Sequence, residues 1–360
     1  MSSELGFSKP QIGLVLGCFG LGSVCGSWLG GWLTDRFGSF KVQCWSLISV
    51  VPLFLILPAF RTFETLAPMI FLLTLVADVF RPANSVSVAR YAKPENITRA
   101  YSLNRMAVNL GFSIGPALGG FLATISYSWI FYGNAIAASA ALIVFIYFFF
   151  NRSQNEVVTK RQEINTSKTK EKNAYTDGLF IVFNILCALF SMGFLQLLST
   201  LPLFYKDVYN YDSGQVGLLL GFSGFVIVLF EMVLVHFVEH RASIKQIMFW
   251  GTAITSLSYF MLTMNFGMAW LFLSMFILST GEMLSLPFMA TISIKRADLN
   301  NQGAYMGFNS LAIAAANIFS PYLGTYTAEH WGYNTLWVAA AITLFSAALG
   351  FYWIIGKMKI

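Results

Sequence analysis

Charged side chains are scarce in this chain, making up 11% of its 360 residues, less than half of the roughly 25% in soluble globular domains. Beside 57% hydrophobic residues, that scarcity argues against a soluble fold and for lipid as the solvent. The four cysteines, Cys18, Cys25, Cys44 and Cys187, all lie within apolar stretches and show no CxxC or metal-ligand spacing, so neither a redox pair nor a zinc site is expected, and small apolar packing is. No nucleotide-binding loop, metal cluster or catalytic triad appears. The expectation is therefore a protein with no catalytic residue, no bound metal and no enzymatic activity. The start, MSSELGFSKPQ, has no basic region followed by an apolar one and no small-residue cleavage site, so no cleavable signal is expected and insertion relies on internal segments.

Hydrophobic residues, by contrast, reach 57%. A spanning helix needs about 20 mostly apolar residues, and eleven such stretches occur: 12–33, 42–60, 66–91, 101–126, 129–150, 177–205, 214–238, 246–264, 269–294, 304–327 and 332–355. A membrane barrel would show short alternating segments instead of these long, continuous, Phe- and Leu-rich runs. The fold class is an all-α membrane protein.

Basic residues set the expected orientation, because cytoplasmic flanks carry their excess. Alternate loops on one side hold nearly all of them, including Arg36, Lys41, Arg90, Arg99, Arg105, Arg241, Lys245 and Arg296. The other side holds Lys9, Arg61 and Lys206. This asymmetry predicts an external N-terminal tail, an internal 151–176 linker and a cytoplasmic C-terminus in a multi-pass protein of the inner (cytoplasmic) cell membrane. It also accounts for the net charge of +6, leaving no argument for a nucleic-acid partner.

An internal repeat divides the chain. Residues 11–20, QIGLVLGCFG, align with 215–224, QVGLLLGFSG, at an offset of 204, in which register Asp35 meets Glu239. Farther on, at an offset of 205, Pro82 meets Pro287, Asn104 meets Asn309, Pro116 meets Pro321 and Gly119 meets Gly324. The expected domains are an N-terminal bundle at 1–150, a cytoplasmic linker at 151–176 and a C-terminal bundle at 177–360. The counterpart of 177–205 would fall before the first residue, so eleven of twelve helices are expected here, in a truncated or mis-started form of a six-plus-six protein. Parallel repeats of this kind build secondary transporters around a central midplane site.

Gly31-Trp32-Leu33-Thr34-Asp35-Arg36-Phe37-Gly38, followed by Lys41, resembles the signature between the second and third helices of the major facilitator superfamily, written GxLaDrxGrk. It departs at Ser39 and Phe40, where basic residues are usual. The resemblance implies the major facilitator fold of two six-helix bundles, and a charge-relay role for the acid at Asp35 in stabilising the outward-open state. Gly38 is expected to supply a left-handed turn closing the helix. Gly111-Phe112-Ser113-Ile114-Gly115-Pro116-Ala117-Leu118-Gly119-Gly120 is similar to the GxxxGPxxGG pattern of the family's fifth helix, which marks proton-coupled antiporters, especially drug exporters. Pro116 is expected to bend this helix, and the glycines to admit a close neighbour. Gly13, Gly17, Gly22, Gly26 and Gly30 predict another close helix contact.

Charges inside spans mark substrate or proton sites, since each costs about 2.5 to 3.5 kcal/mol on insertion scales. Asp78 and Arg81 lie three residues apart at the middle of 66–91, on one face, beside Pro82. Glu282 sits at the middle of 269–294 near Pro287. Glu231 lies toward the cytoplasmic end of 214–238 with His236 five residues on, where an inter-helix hydrogen bond and a proton relay both remain open. The resemblance implies that 66–91, 177–205 and 269–294 line a central cavity, making Asp78, Arg81, Glu282, Gln196 and Asn84 candidate coupling or substrate residues. The functional expectation is proton-coupled export of small amphipathic compounds, driven by the proton gradient without a cofactor, by a monomer whose partners are a small-molecule substrate and the lipid bilayer. A proton symporter importing a nutrient or organic anion, for which Arg81 is suited, and an inactive fragment are the alternatives.

Overall fold

The computed structural model describes residues 9–164 and 173–358, and the regular elements among them are all helical. Twelve α-helices are seen: α1 (Lys9–Phe37), α2 (Ser39–Ile56), α3 (Phe63–Tyr91), α4 (Ile97–Ile125), α5 (Tyr127–Ile164), α6 (Gly178–Phe194), α7 (Gln196–Ser199), α8 (Leu201–Tyr209), α9 (Ser213–Glu239), α10 (Ile244–Met261), α11 (Met268–Arg296) and α12 (Gln302–Lys357). A bilayer offers no water to unpaired peptide groups, so apolar runs of this length satisfy them internally as helix. Each of the eleven expected spans overlaps helix, and α12 holds the last two end to end. Gly332 separates them at φ 80° and ψ 162°, a conformation essentially confined to glycine.

Local chemistry places the boundaries. Gly38, between α1 and α2, has φ 89° and ψ 151°, so the expected left-handed turn is instead an extended link with positive φ, again open to glycine alone. At α9, Asp212 and Gln215 form a reciprocal capping box, and at α10 Gln246 Oε1 accepts from the Ser243 amide at 3.0 Å and from its hydroxyl at 2.7 Å.

The expected span at 177–205 departs from a single rod: it is broken into α6, α7 and α8. Side chains from elsewhere hold the break. The Tyr259 hydroxyl donates to the Gly193 carbonyl at 2.7 Å, and Ser320 donates to Met192 at 2.8 Å. Gln196 donates in turn to the Ser320 carbonyl at 3.0 Å and accepts from Thr200 at 2.6 Å. A side chain inserted into the helical ladder is a sufficient cause of such a break.

Two compact units emerge. The first comprises the described residues of Met1–Arg90, Gly115–Thr176 and Ala297–Ala314; the second comprises those of Tyr91–Ile114, Asp177–Arg296 and Ala315–Ile360. In the first, Val50, Leu57, Leu66, Met69 and Leu73 form an apolar core against which Phe131 packs. Gly22, Gly26 and Gly30 of α1 lie directly on the α3 backbone, where any added methyl group would collide. That part of the glycine expectation holds; Gly17 has nothing beside it among the described residues, and the side of Gly13 lies outside them. In the second unit, α11 packs along both α9 and α10, and Tyr259, Trp337, Tyr333 and Phe204 form an aromatic block.

Candidate functional site

Three helices of the second unit bring their charges together. Arg105, in the third turn of α4, places Nε 3.0 Å from Glu231 Oε1 and Nη2 3.4 Å from Glu231 Oε2 on α9. Its Nη1 lies 3.2 Å from Glu282 Oε1 on α11. The side chains of Glu231, Glu282 and Arg105 are 0%, 4% and 16% exposed. Glu282 Oε2 is buried without a hydrogen-bond partner among the described residues. One guanidinium thus serves two carboxylates, leaving a formal charge of −1 in a low-dielectric interior, where an uncompensated charge is costly.

Arg105 is a correction to the charge-asymmetry reading, which counts it among the cytoplasmic flanks. A buried guanidinium is tolerated because two acids surround it. The available signal was its place inside the apolar stretch 101–126, with Ser102 and Asn109 recurring at helical spacing on its face. Arg296 is a second such case, buried against Asp177 at 2.8 Å, where it secures the N-cap of α6.

Asp78 and Arg81 pair as the spacing predicts, with Nε 2.7 Å from Oδ1 and side chains 10% and 50% exposed. Both belong to the first unit, and Asn84 is half-buried one turn on. Gln196 is buried and committed to the break between α6 and α8 through Ser320 and Thr200. His236 is exposed and lies beside His240, ring centres 5.0 Å apart, while Glu231 is buried against Arg105.

The motif around Asp35 forms a latch in the first unit. The Asp35 carboxylate accepts from the Gly303 amide at 2.6 Å and the Ala304 amide at 2.7 Å, at the N-terminus of α12. There, unpaired amides and the helix dipole favour an anion. Gly31 makes the approach possible, since a methyl group on it would meet the Gly303 carbonyl and Gly307. Arg36 lies over Trp32 and Phe37, at 5.2 and 5.5 Å from the ring centres, and Lys41 is exposed on α2. Tyr175 packs at a tilt against Phe308 nearby, ring centres 5.3 Å apart. Burial, and then the charge of Asp35, push its hydroxyl above the ordinary tyrosine range.

The glycine pattern on α4 differs from expectation. Gly111, Gly115 and Gly119 have nothing within 4 Å of an added methyl group among the described residues. Gly324, the repeat partner of Gly119, packs tightly against Gln196 and Thr200. The close contact expected beside Gly111, Gly115 and Gly119 is therefore not made among the described residues, while the repeat partner of Gly119 makes one. The expectations for Pro116 and Gly120 fall outside the described side chains.

The sequence profile of the Major Facilitator Superfamily matches residues 1–309. The chain belongs to that superfamily. Among its relatives, Multidrug resistance protein 1 of Bacillus subtilis (strain 168) is 26% identical over 328 residues, covering 89% of this chain and 82% of the relative. YttB, an uncharacterized MFS-type transporter of the same organism, is 26% identical over 345 residues, covering 95% and 85%. The human organic anion transporter MFSD10 has the same fold at TM-score 0.74 and 14% identity, covering 97% of this chain and 87% of that one. The proton:xylose symporter XylE matches at 0.71 and 14%, covering 94% and 85%. As a Major Facilitator Superfamily member, the protein is a multi-pass membrane transporter for small molecules, in a family of transporters rather than enzymes.

Proposed function

We propose that this protein exports small amphipathic compounds in exchange for protons, by alternating access of the 1–150 and 177–360 bundles. The observation that carries this reading is the sharing of Arg105 by Glu231 and Glu282. Two buried carboxylates on one guanidinium leave one negative charge, so a single proton neutralises the site. Glu282 is the proton carrier in this scheme, because its Oε2 has no competing partner among the described residues. A proton from outside occupies it in one state; release to the cytoplasm restores the charge and resets the cycle. Likeness to a multidrug resistance protein supports the export direction. The monomer works in the inner membrane with its C-terminus in the cytoplasm, energised by the proton gradient alone.

Inverted membrane vesicles given the dye ethidium in the external medium test the reading. The wild type should accumulate dye only while a proton gradient is maintained, and Glu282→Gln should abolish gradient-driven accumulation while retaining dye-for-dye exchange. Gradient-driven accumulation by Glu282→Gln at the wild-type rate would remove Glu282 from the coupling step.

A second reading, uptake of an organic anion, is favoured by the half-exposed Arg81 guanidinium. Under it, Arg81→Gln abolishes uptake and leaves ethidium movement unaffected.

A further inference from the structure

Asp35 and Glu239 occupy equivalent positions in the repeat, and the structure gives both a clasp. Asp35 holds the amides of Gly303 and Ala304 at the start of α12. At the offset of 205, Ala304 corresponds to Arg99 in the first turn of α4, and Arg99 Nε lies 3.3 Å from Glu239 Oε2. Each repeat therefore closes an acid at the end of one helix onto the beginning of another. They differ in the surroundings: the second clasp contains an imidazole.

His240, at the C-cap of α9, makes two contacts. Its Nδ1 lies 2.9 Å from the His236 carbonyl oxygen, and its Nε2 lies 3.2 Å from Arg99 Nη2. A carbonyl can only accept, so Nδ1 carries the proton; a guanidinium can only donate, so Nε2 must be bare. Both contacts thus require the neutral Nδ1–H tautomer. Protonation would place a hydrogen on Nε2, aimed at a guanidinium 3.2 Å away, turning a hydrogen bond into a like-charge contact.

The charged and titratable groups around this imidazole are Arg99 from α4, with Glu239 and His236 from α9 and Arg241 just beyond its end. The Arg241 guanidinium lies 3.7 Å from the Phe237 ring centre. Glu239 tempers the repulsion, but an imidazolium would also compete with Arg99 for that carboxylate. Arg99 loses on both counts.

We propose that His240 is a pH-sensitive element of this clasp: neutral, it holds Arg99 and so ties the start of α4 to the end of α9; protonated, it releases them. Imidazole changes charge within the physiological range. The contact requires the neutral form, so it is present where the ring is neutral and lost where the ring carries a second proton. Charge asymmetry assigns these helix ends to the cytoplasm, so cytoplasmic acidification is the signal that loosens them. The Asp35 clasp has no imidazole among its partners described above and keeps its hold over the same range.

Hydrogen exchange on the full chain in lipid nanodiscs, corrected for the intrinsic effect of pH, reads this without any substrate, so failure of the exporter reading leaves the test intact. Protection at 97–105 and 236–241 should fall about fivefold between about pH 8 and 5.5, with 302–306 unchanged. The drop should vanish in His240→Gln and persist in His236→Gln, since only the backbone carbonyl of His236 is used. A flat wild-type profile, or an undiminished drop in His240→Gln, overturns the proposal. Nitrogen chemical shifts of 15N-labelled histidine in the unmutated protein give a check that survives a variant failing to fold: at alkaline pH, His240 must report the Nδ1–H tautomer, and the Nε2–H tautomer there refutes it.

Discussion

In the first unit the buried acid Asp78 finds its counter-charge three residues along the same helix, whereas in the second Glu231 and Glu282 reach a guanidinium on a third helix. The local pair is electrically complete, and one of its members is half-exposed. The three-helix group is buried and one charge short. A helix can satisfy a lone acid by itself; holding two acids around one cation makes the packing of α4, α9 and α11 depend on their protonation. The proposed exporter reading places the coupling step there, where charge and packing are inseparable.

Arg105→Gln should have the largest effect. Removing the cation leaves two buried carboxylates uncompensated, an expected loss of about 3 to 5 kcal/mol, seen as a lowered unfolding temperature in detergent. Adding Glu231→Gln and Glu282→Gln should recover most of it, because the penalty lies in the unpaired charges. Arg81→Gln breaks the pair in the first unit, yet water reaches that guanidinium, so about 1 kcal/mol or less is expected. A loss equal to that of Arg105→Gln would erase the distinction between the two sites.

The smallest effect is confined to alkali and sharpens the comparison of the clasps. Tyr175 beside Asp35 is held in its neutral form by burial and by the carboxylate charge. Its contact is therefore intact below the ordinary tyrosine range near about 10 and weakens as pH rises through the higher native value. Thermal melts of the wild type and Tyr175→Phe should coincide at neutral pH and separate only in alkali, with the wild type the less stable. The first clasp would then fail in base and the second in acid.

The spans, the repeat and the Asp35 motif were legible because each is written locally, in composition or in spacing. The Asp78–Arg81 pair was legible for the same reason. Arg105 was not, since counting basic residues by loop assigns it to a flank, and its partners lie 126 residues away on α9 and farther still on α11. The break at 194–200 had no local sign either: Pro202 follows it, but the hydroxyl that occupies it comes from Tyr259, 66 residues from Gly193. Side chains that act over such distances obey no period, and one sequence does not display which face each helix turns toward them.

The interruption of α6, α7 and α8 also bears on mechanical compliance. A continuous helix resists bending because its hydrogen bonds run along its axis and must stretch or snap. At this joint the Met192 and Gly193 carbonyls are tethered sideways, to Ser320 and Tyr259, so the axial ladder is already open where flexure would concentrate. The arm that follows, Leu201–Tyr209, is anchored in turn by packing, since Leu201, Phe204 and Tyr205 are buried and Phe204 lies against Tyr333 and Trp337, so bending at this joint is resisted by side-chain contacts and lateral tethers in place of an unbroken axial ladder.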